Sequence, residues 1–265
     1  MKNKPTVGIL ITTMNDWINR VKKELLPQLK DADEIIISHQ ITDKNIKPEQ
    51  KNSFGEKIKY YYMFDKWLSK NRNNALKHAT ADICYICDDD LNFVKWFVDI
   101  IKNEYIKHKN YDIITFQAKD EKWKLRFFVK EGKHSIFSIC KISSLWITFK
   151  RKSILEKWIK FDENFGLGAK YIVWEENIFL RDAQKKWLKL YHSNKVIVIH
   201  PSESSGINYE NNEKLVVSRI KLFKRMYWFI WGLFAIPYFT ILHYKYYKNK
   251  ISIWKFLILS FKGLI

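Results

Sequence analysis

The hydrophobic pattern over the first 200 residues switches repeatedly between two periods. Short apolar or β-branched runs occupy residues 7–12, 34–38, 58–62, 83–87, 112–116, 145–149 and 196–199. Runs of this length between polar segments predict strands. Helical spacing fills the gaps. It runs over 17–29 behind the N-capping candidates Asn15 and Asp16, and from Ser69 to His78. Phe93, Phe97, Ile100, Ile101 and Tyr105 repeat at helical spacing, and 175–186 forms another helical segment. This alternation predicts an α/β domain with a mostly parallel central sheet. Ligands of such sheets lie beyond the carboxyl ends of the strands. Residues 39–57, with Pro48 and Gly55, read as a loop. Residues 117–142, basic and aromatic without a clean period, read as an insertion.

The pattern changes in the tail. Residues 226–244, MYWFIWGLFAIPYFTILHY, hold no Asp, Glu, Lys or Arg. As a helix they would extend roughly 28 Å, just short of a hydrocarbon core. Arg219, Lys221, Lys224 and Arg225 precede the run, Lys245, Lys248 and Lys250 follow it, and Pro237 interrupts it. Trp and Tyr favour the headgroup region. Basic flanks on both sides fit a helix or shallow hairpin lying on an anionic leaflet better than a simple span. Core helices capping the domain are the other reading. The expected division is an α/β domain over 1–206 and a membrane-associated helical region over 207–265.

Net charge sharpens this. The chain carries +19, and residues 206–265 hold ten Lys or Arg against two Glu. Basic chains of this size meet nucleic acid, anionic lipid or acidic substrates. No arginine-rich helix, zinc knuckle or aromatic RNA-binding signature accompanies the charge, so nucleic acid is not the expected partner. Lys far outnumbers Arg, as codon bias in a low-GC genome also produces. Three cysteines exclude a disulfide framework. Cys84 and Cys87 have no second pair to complete a zinc site and read as small core residues.

The strongest chemical signal is Asp88-Asp89-Asp90 directly after the run ICYIC. Adjacent carboxylates repel one another unless a cation is present. Hard divalent ions, Mn2+ or Mg2+, bridge such groups to substrate phosphates. In an extended turn Asp88 and Asp90 would face the same way. An acidic turn capping the following helix is the plainer alternative.

Several blocks together resemble the family 2 glycosyltransferases, over about residues 5–206. These are VGILITTMN, LSKNRNNALKHATADICYICDDDL, FDENFGLGAKYIVWEENIFL and VIVIHPSESSG. The resemblance implies a GT-A fold, Rossmann-like and built for nucleotide-diphospho-sugars. It implies transfer of a sugar, with inversion, to a hydroxyl of a lipid-linked or cell-surface glycan. The donor would be a nucleotide-diphosphate sugar, a UDP-sugar first among them. Thr12 and Thr13 would line the base and ribose pocket, and Arg72 and Asn73 would belong to the nucleotide site. Asp88 and Asp90 would bind metal with Asp89 nearby, and His200 would be a third ligand. Glu176 would be the general base, with Glu175 before it. The second strand ends Ser38-His39-Gln40 where the family has an Asp-rich turn, which leaves the base identity open. The family's usual Asp at the base position is Glu here, which leaves Glu175 and Glu176 both open. Helix capping would also explain these two Glu, and a core position would explain His200. The expected location is the cytoplasmic face of the inner or plasma membrane. A nucleotidyltransferase of similar fold, or a non-catalytic basic module binding membrane or nucleic acid, are the competing classes.

Overall fold

The computed structural model describes residues 4–50, 54–125, 128–172, 174–200 and 213–264. The boundary expected at 206/207, and Ser202, Ser204 and Ser205, lie outside these. β1 (Val7–Met14) leads into a helical run that opens as α1 (Trp17–Arg20), widens to a π-helical turn over Val21–Leu25 and tightens into a 3-10 turn ending at Gln28. Then come β2 (Glu34–Gln40), β3 (Ile58–Met63), α2 (Leu68–His78) and β4 (Ile83–Asp88). The short β5 (Asn92–Phe93) precedes α3 (Phe97–Lys107), β6 (Ile113–Lys119) and β7 (Gly132–Lys133). β8 (Ile147–Lys150), α4 (Arg151–Glu156), α5 (Glu175–Lys185) and β9 (Leu190–Ile199) complete the α/β part. The tail holds α6 (Glu213–Leu242), α7 (Tyr244–Tyr247) and α8 (Ile253–Leu264).

The strands form one sheet of order β3-β2-β1-β4-β8-β6-β9-β5, with β7 also on β9. Its first half is parallel, as expected: β3, β2, β1 and β4 run together. The second half corrects the expectation of a mostly parallel sheet. β8 enters antiparallel to both β4 and β6, and β5 and β7 pair antiparallel with β9. β6 and β9 remain parallel to each other, so the second half is mixed and not wholly antiparallel. The helical repeat assigned from Phe93 also starts later. Asn92 and Phe93 pair with Ile199 and Val198, so the acidic triplet leads into a short strand and α3 begins at Phe97.

The central strands are buried on both faces, which explains their continuous apolar runs. Carboxylates at the opposite edge hold the register. Asp33 accepts from the Val7 amide and Asp82 from the Thr6 amide and hydroxyl. Buried Glu34 accepts from the amides of Thr80 and Ala81 and from Lys59. Cys84 and Cys87 are buried in the core, and burial pushes both thiols up, as core residues require.

The first half of α6 packs on the α/β part through Leu222, Met226 and Tyr227. Arg225 clamps it there, donating to both carboxylate oxygens of Asp182 at 2.9 and 2.7 Å and to Asp162 at 2.9 Å. At Trp228 the backbone leaves helical geometry and the helix kinks. α8 returns beside α6, where Gly263 lets it approach: a Cβ there would sit 2.7 Å from the Val217 carbonyl. No helix among the described residues is long and apolar enough to cross a membrane.

Candidate active site

The parallel half of the sheet sets a row of side chains at its carboxyl edge. Thr12 on β1 lies opposite Ser38 on β2 and Asp88 on β4. Above this row, α2 brings in Asn71 and Arg72. Asn71 donates to the Thr13 carbonyl at 3.2 Å.

Arg72 is buried, 3% exposed, and joins two regions distant in sequence. Its Nη2 donates to Asp88 Oδ1 at 2.8 Å and its Nη1 donates to Glu175 Oε1. The two carboxylates outweigh burial and hold the guanidinium firmly charged. Ser144 donates to the other oxygen of Asp88 at 3.1 Å. Glu175 fits because position 166 has no side chain. A Cβ on Gly166 would lie 3.1 Å from the Glu175 carboxyl carbon, and its φ of +105° suits glycine. Gly168 is equally constrained, since a Cβ there would meet the Lys66 carbonyl at 2.4 Å.

The acidic triplet fans out. Asp88 faces Arg72 and Ser144. Asp89 accepts from the Thr13 hydroxyl at 2.7 Å, and its carboxyl is pushed up to about 6 by burial first and by Asp88 and Asp90 next. Asp90 Oδ2 lies 3.5 Å from His200 Nε2, and that contact holds Asp90 below the ordinary carboxylate range. The structure therefore brings Asp90 and His200 together and turns Asp88 toward Arg72. Among the described residues no three His, Cys, Asp or Glu side chains are gathered as a ready metal cage. The carboxylates and single imidazole still suit a hard divalent ion whose other ligands are phosphate and water.

Glu176 is half-buried in the first turn of α5, where the helix dipole favours an anion. Burial, and after it the neighbouring Glu175 carboxylate, nonetheless push its carboxyl well above the ordinary range, with Arg72 opposing. The two glutamates thus differ: Glu175 is bound to Arg72, and Glu176 is a raised carboxyl. Asn73 braces the loop before α5, accepting from the Phe161 amide at 2.9 Å and donating to the Phe161 carbonyl and Glu163.

Sequence reasoning missed Ser144 and Asn71, and named His39 only as part of the strand end that leaves the base identity open. His39 is buried, bonded to the Tyr60 hydroxyl at 2.7 Å and the Asn15 carbonyl at 2.9 Å. A lone polar residue gives no pattern to find, and the partners are remote in sequence. Among the described residues, four buried atoms at this edge have no hydrogen-bond partner: Thr12 Oγ1, Gln40 Nε2, Asn71 Oδ1 and Arg72 Nε. Such atoms are costly unless something polar reaches them. Next to the Gly166 loop lies an open groove of about 670 Å3, lined by Lys170, Tyr171, Lys185, Lys221, Lys224 and Arg225 among others.

No protein-family model and no curated protein matches the chain. Solved structures do. The fold is shared with S. aureus TarS. The crystal structure of TarS 1-349 superposes with a TM-score of 0.58 at 14% identity, over 82% of this chain and 64% of that one. TarS 1-349 in complex with UDP gives 0.59 at 13% identity, over 93% and 75%. TarS 1-349 in complex with UDP-GlcNAc gives 0.58 at 13% identity, over 92% and 74%. These superpositions, at such low identity, show a common fold with TarS and no more.

Proposed function

We propose that this chain is an inverting glycosyltransferase that moves a sugar from a nucleotide-diphosphate donor to a glycan hydroxyl. One observation carries the reading. A carboxylate triplet, a buried arginine and a raised glutamate converge on one edge of the sheet, where four buried polar atoms lack partners. The TarS structures hold UDP and UDP-GlcNAc, which supports a UDP-sugar as donor.

Direct displacement at an anomeric carbon requires a base for the attacking hydroxyl and neutralisation of the leaving diphosphate. Glu176 is the base. Its raised pKa makes the ionised form a stronger proton acceptor. Glu175 is a positioning residue that ties α5 to Arg72. Arg72 holds Asp88 in place and adds positive charge beneath the diphosphate. Thr12 and Asn71 offer polar atoms to the nucleotide, and Thr13 orients Asp89. Asp90 and His200, with Asp88, would hold Mn2+ or Mg2+, which supplies positive charge to the departing diphosphate.

The acceptor side rests on the basic groove and the tail. Lys170, Lys185 and Lys221 suit the phosphates of a lipid-linked glycan. Phe234, Tyr238 and Ile241 on α6, and Trp254, Ile258 and Phe261 on α8, are exposed at the same i, i+4, i+7 spacing. Such stripes beside Lys245, Lys248 and Lys250 suit an enzyme lying on the anionic cytoplasmic leaflet.

The test is a panel of nucleotide sugars with Mn2+ or Mg2+, scored for nucleoside diphosphate release by the full chain and by Asp90→Ala. Release from one donor, lost on chelation and in the variant, is the expected result. A folded chain that neither binds nor turns over any donor would overturn the proposal.

A further inference from the structure

Among the described residues, seven that are not glycine hold a positive φ. One is Asn15; the other six are Trp96, Trp123, Trp158, Trp174, Trp187 and Trp228. Asparagine tolerates the left-handed region. A bulky residue there is a true outlier, and only a few per cent of non-glycine residues enter it at all. Yet six of the eleven tryptophans do so, and among the described residues no Phe, Tyr, Leu or Ile does.

The local motifs are those that glycine builds. After α4, the Trp158 amide donates to the Leu155 carbonyl at 3.0 Å and the Ile159 amide to Ile154 at 3.1 Å. After α5, Trp187 donates to Gln184 and Leu188 to Ala183, both at 3.0 Å. Each is a Schellman ending, whose left-handed residue is usually glycine. The Trp123 amide donates to the Asp120 carbonyl at 2.9 Å and the Asp120 amide to the Lys124 carbonyl at 2.8 Å, a type I turn closed by a left-handed residue of the glycine bulge kind. Trp228 has φ 76° and ψ 167°, a region that essentially only glycine occupies. Trp174 directly precedes Glu175, and Trp96 precedes α3. Two of the rings do little in return, Trp158 being 80% and Trp187 89% exposed, while Trp174 packs partly buried beneath Arg219 at 5.2 Å.

Composition agrees independently. Eight glycines in 265 residues is less than half the usual share of roughly 7%. Tryptophans outnumber them. Forty Lys against seven Arg marks an A/T-rich coding sequence. UGA, a stop codon in the standard code, is read as tryptophan in some translation systems and as glycine in others.

We propose that these six positions are glycine in the protein its own cell makes, each encoded by a UGA that the cell reads as glycine. With glycine in place of Trp174, the left-handed backbone that leads into α5 carries no strain. The argument stands on backbone geometry and does not depend on the glycosyltransferase reading.

Two measurements test it. The full chain with all six Trp→Gly replacements should melt roughly 10 °C above the full chain with six tryptophans, since each replacement relieves a left-handed strain. Trp146→Gly is the control. Trp146 is buried and outside the set, so its loss should lower the melting temperature. An equal or lower melting temperature for the six-glycine chain would overturn the geometric argument. Peptide masses of the protein isolated from its source cells should show glycine at the six positions, with UGA in the gene. Tryptophan masses there, or UGG codons, would overturn the proposal outright.

Discussion

Arg72 offers the most decisive single perturbation. It is the one cation shared by Asp88 and Glu175 among the described ion pairs, and both it and Glu175 are buried. Arg72→Met keeps most of the side chain's length and removes the charge and its donors. Asp88 keeps Ser144 and is partly open to solvent, so its loss is modest. Glu175, 4% exposed, is left as a buried carboxylate without its cation. Removing one partner of a buried pair costs about 3–5 kcal/mol, mostly from the charge left behind. For a chain of this size that is a fall in melting temperature of roughly 10 °C. Thermal and urea unfolding would be followed by circular dichroism on Arg72→Met, Glu175→Gln and the double variant. The double variant removes both charges and should recover at least half of the loss. A cost under about 1 kcal/mol for Arg72→Met, or a double variant no better than the single, would refute the reasoning.

Glu176→Gln should abolish transfer while leaving donor binding intact, as read by titration with the nucleotide. Its stability should depend on pH in a definite direction. A raised carboxyl stabilises the fold while protonated, and that contribution is lost as pH rises through the folded-state value. The Gln variant, neutral throughout, should therefore melt above the parent at alkaline pH and level with it at acid pH. In the active enzyme the same shift should displace the acid limb of the kcat profile above the ordinary glutamate range. Arg225→Ala should cost about 1–2 kcal/mol, discounted for partial exposure, and should increase proteolysis within α6. Replacing Phe234, Ile241 and Trp254 by Asp should abolish co-sedimentation with anionic vesicles and leave the melting curve unchanged. Retained sedimentation would discard the leaflet-binding role of those stripes.

Much of the parallel half of the sheet was legible in the sequence. The runs at 7–12, 34–38, 58–62 and 83–87 needed only extension by a residue or two, because strands buried on both faces carry unbroken apolar stretches. The antiparallel entry of β8 was not legible. Strand direction depends on tertiary pairing, and the same apolar run serves either. Residues 144–146 form a 3-10 turn that reads as strand because Leu145 and Trp146 are buried there for packing. At the site, the residues could be nominated but not all of their partners. Asp90 and His200 were named together through the resemblance, but that Asp88 turns to Arg72 follows from helix and strand placement, which local pattern does not encode. The positive φ of six tryptophans was invisible in the sequence for the opposite reason: nothing about tryptophan suggests it.

Thr12, Ser38 and Asp88 stand level because three parallel strands are in register. Side chains alternate faces along a strand, so losing one residue inside β1, β2 or β4 would swing every later side chain to the wrong side of the sheet. Lengthening a connection at the far edge moves none of them. The chain is thereby divided into stretches where insertion is lethal to the row and stretches where it is neutral. Loops at the far edge can therefore be exchanged as cassettes while the row stays put.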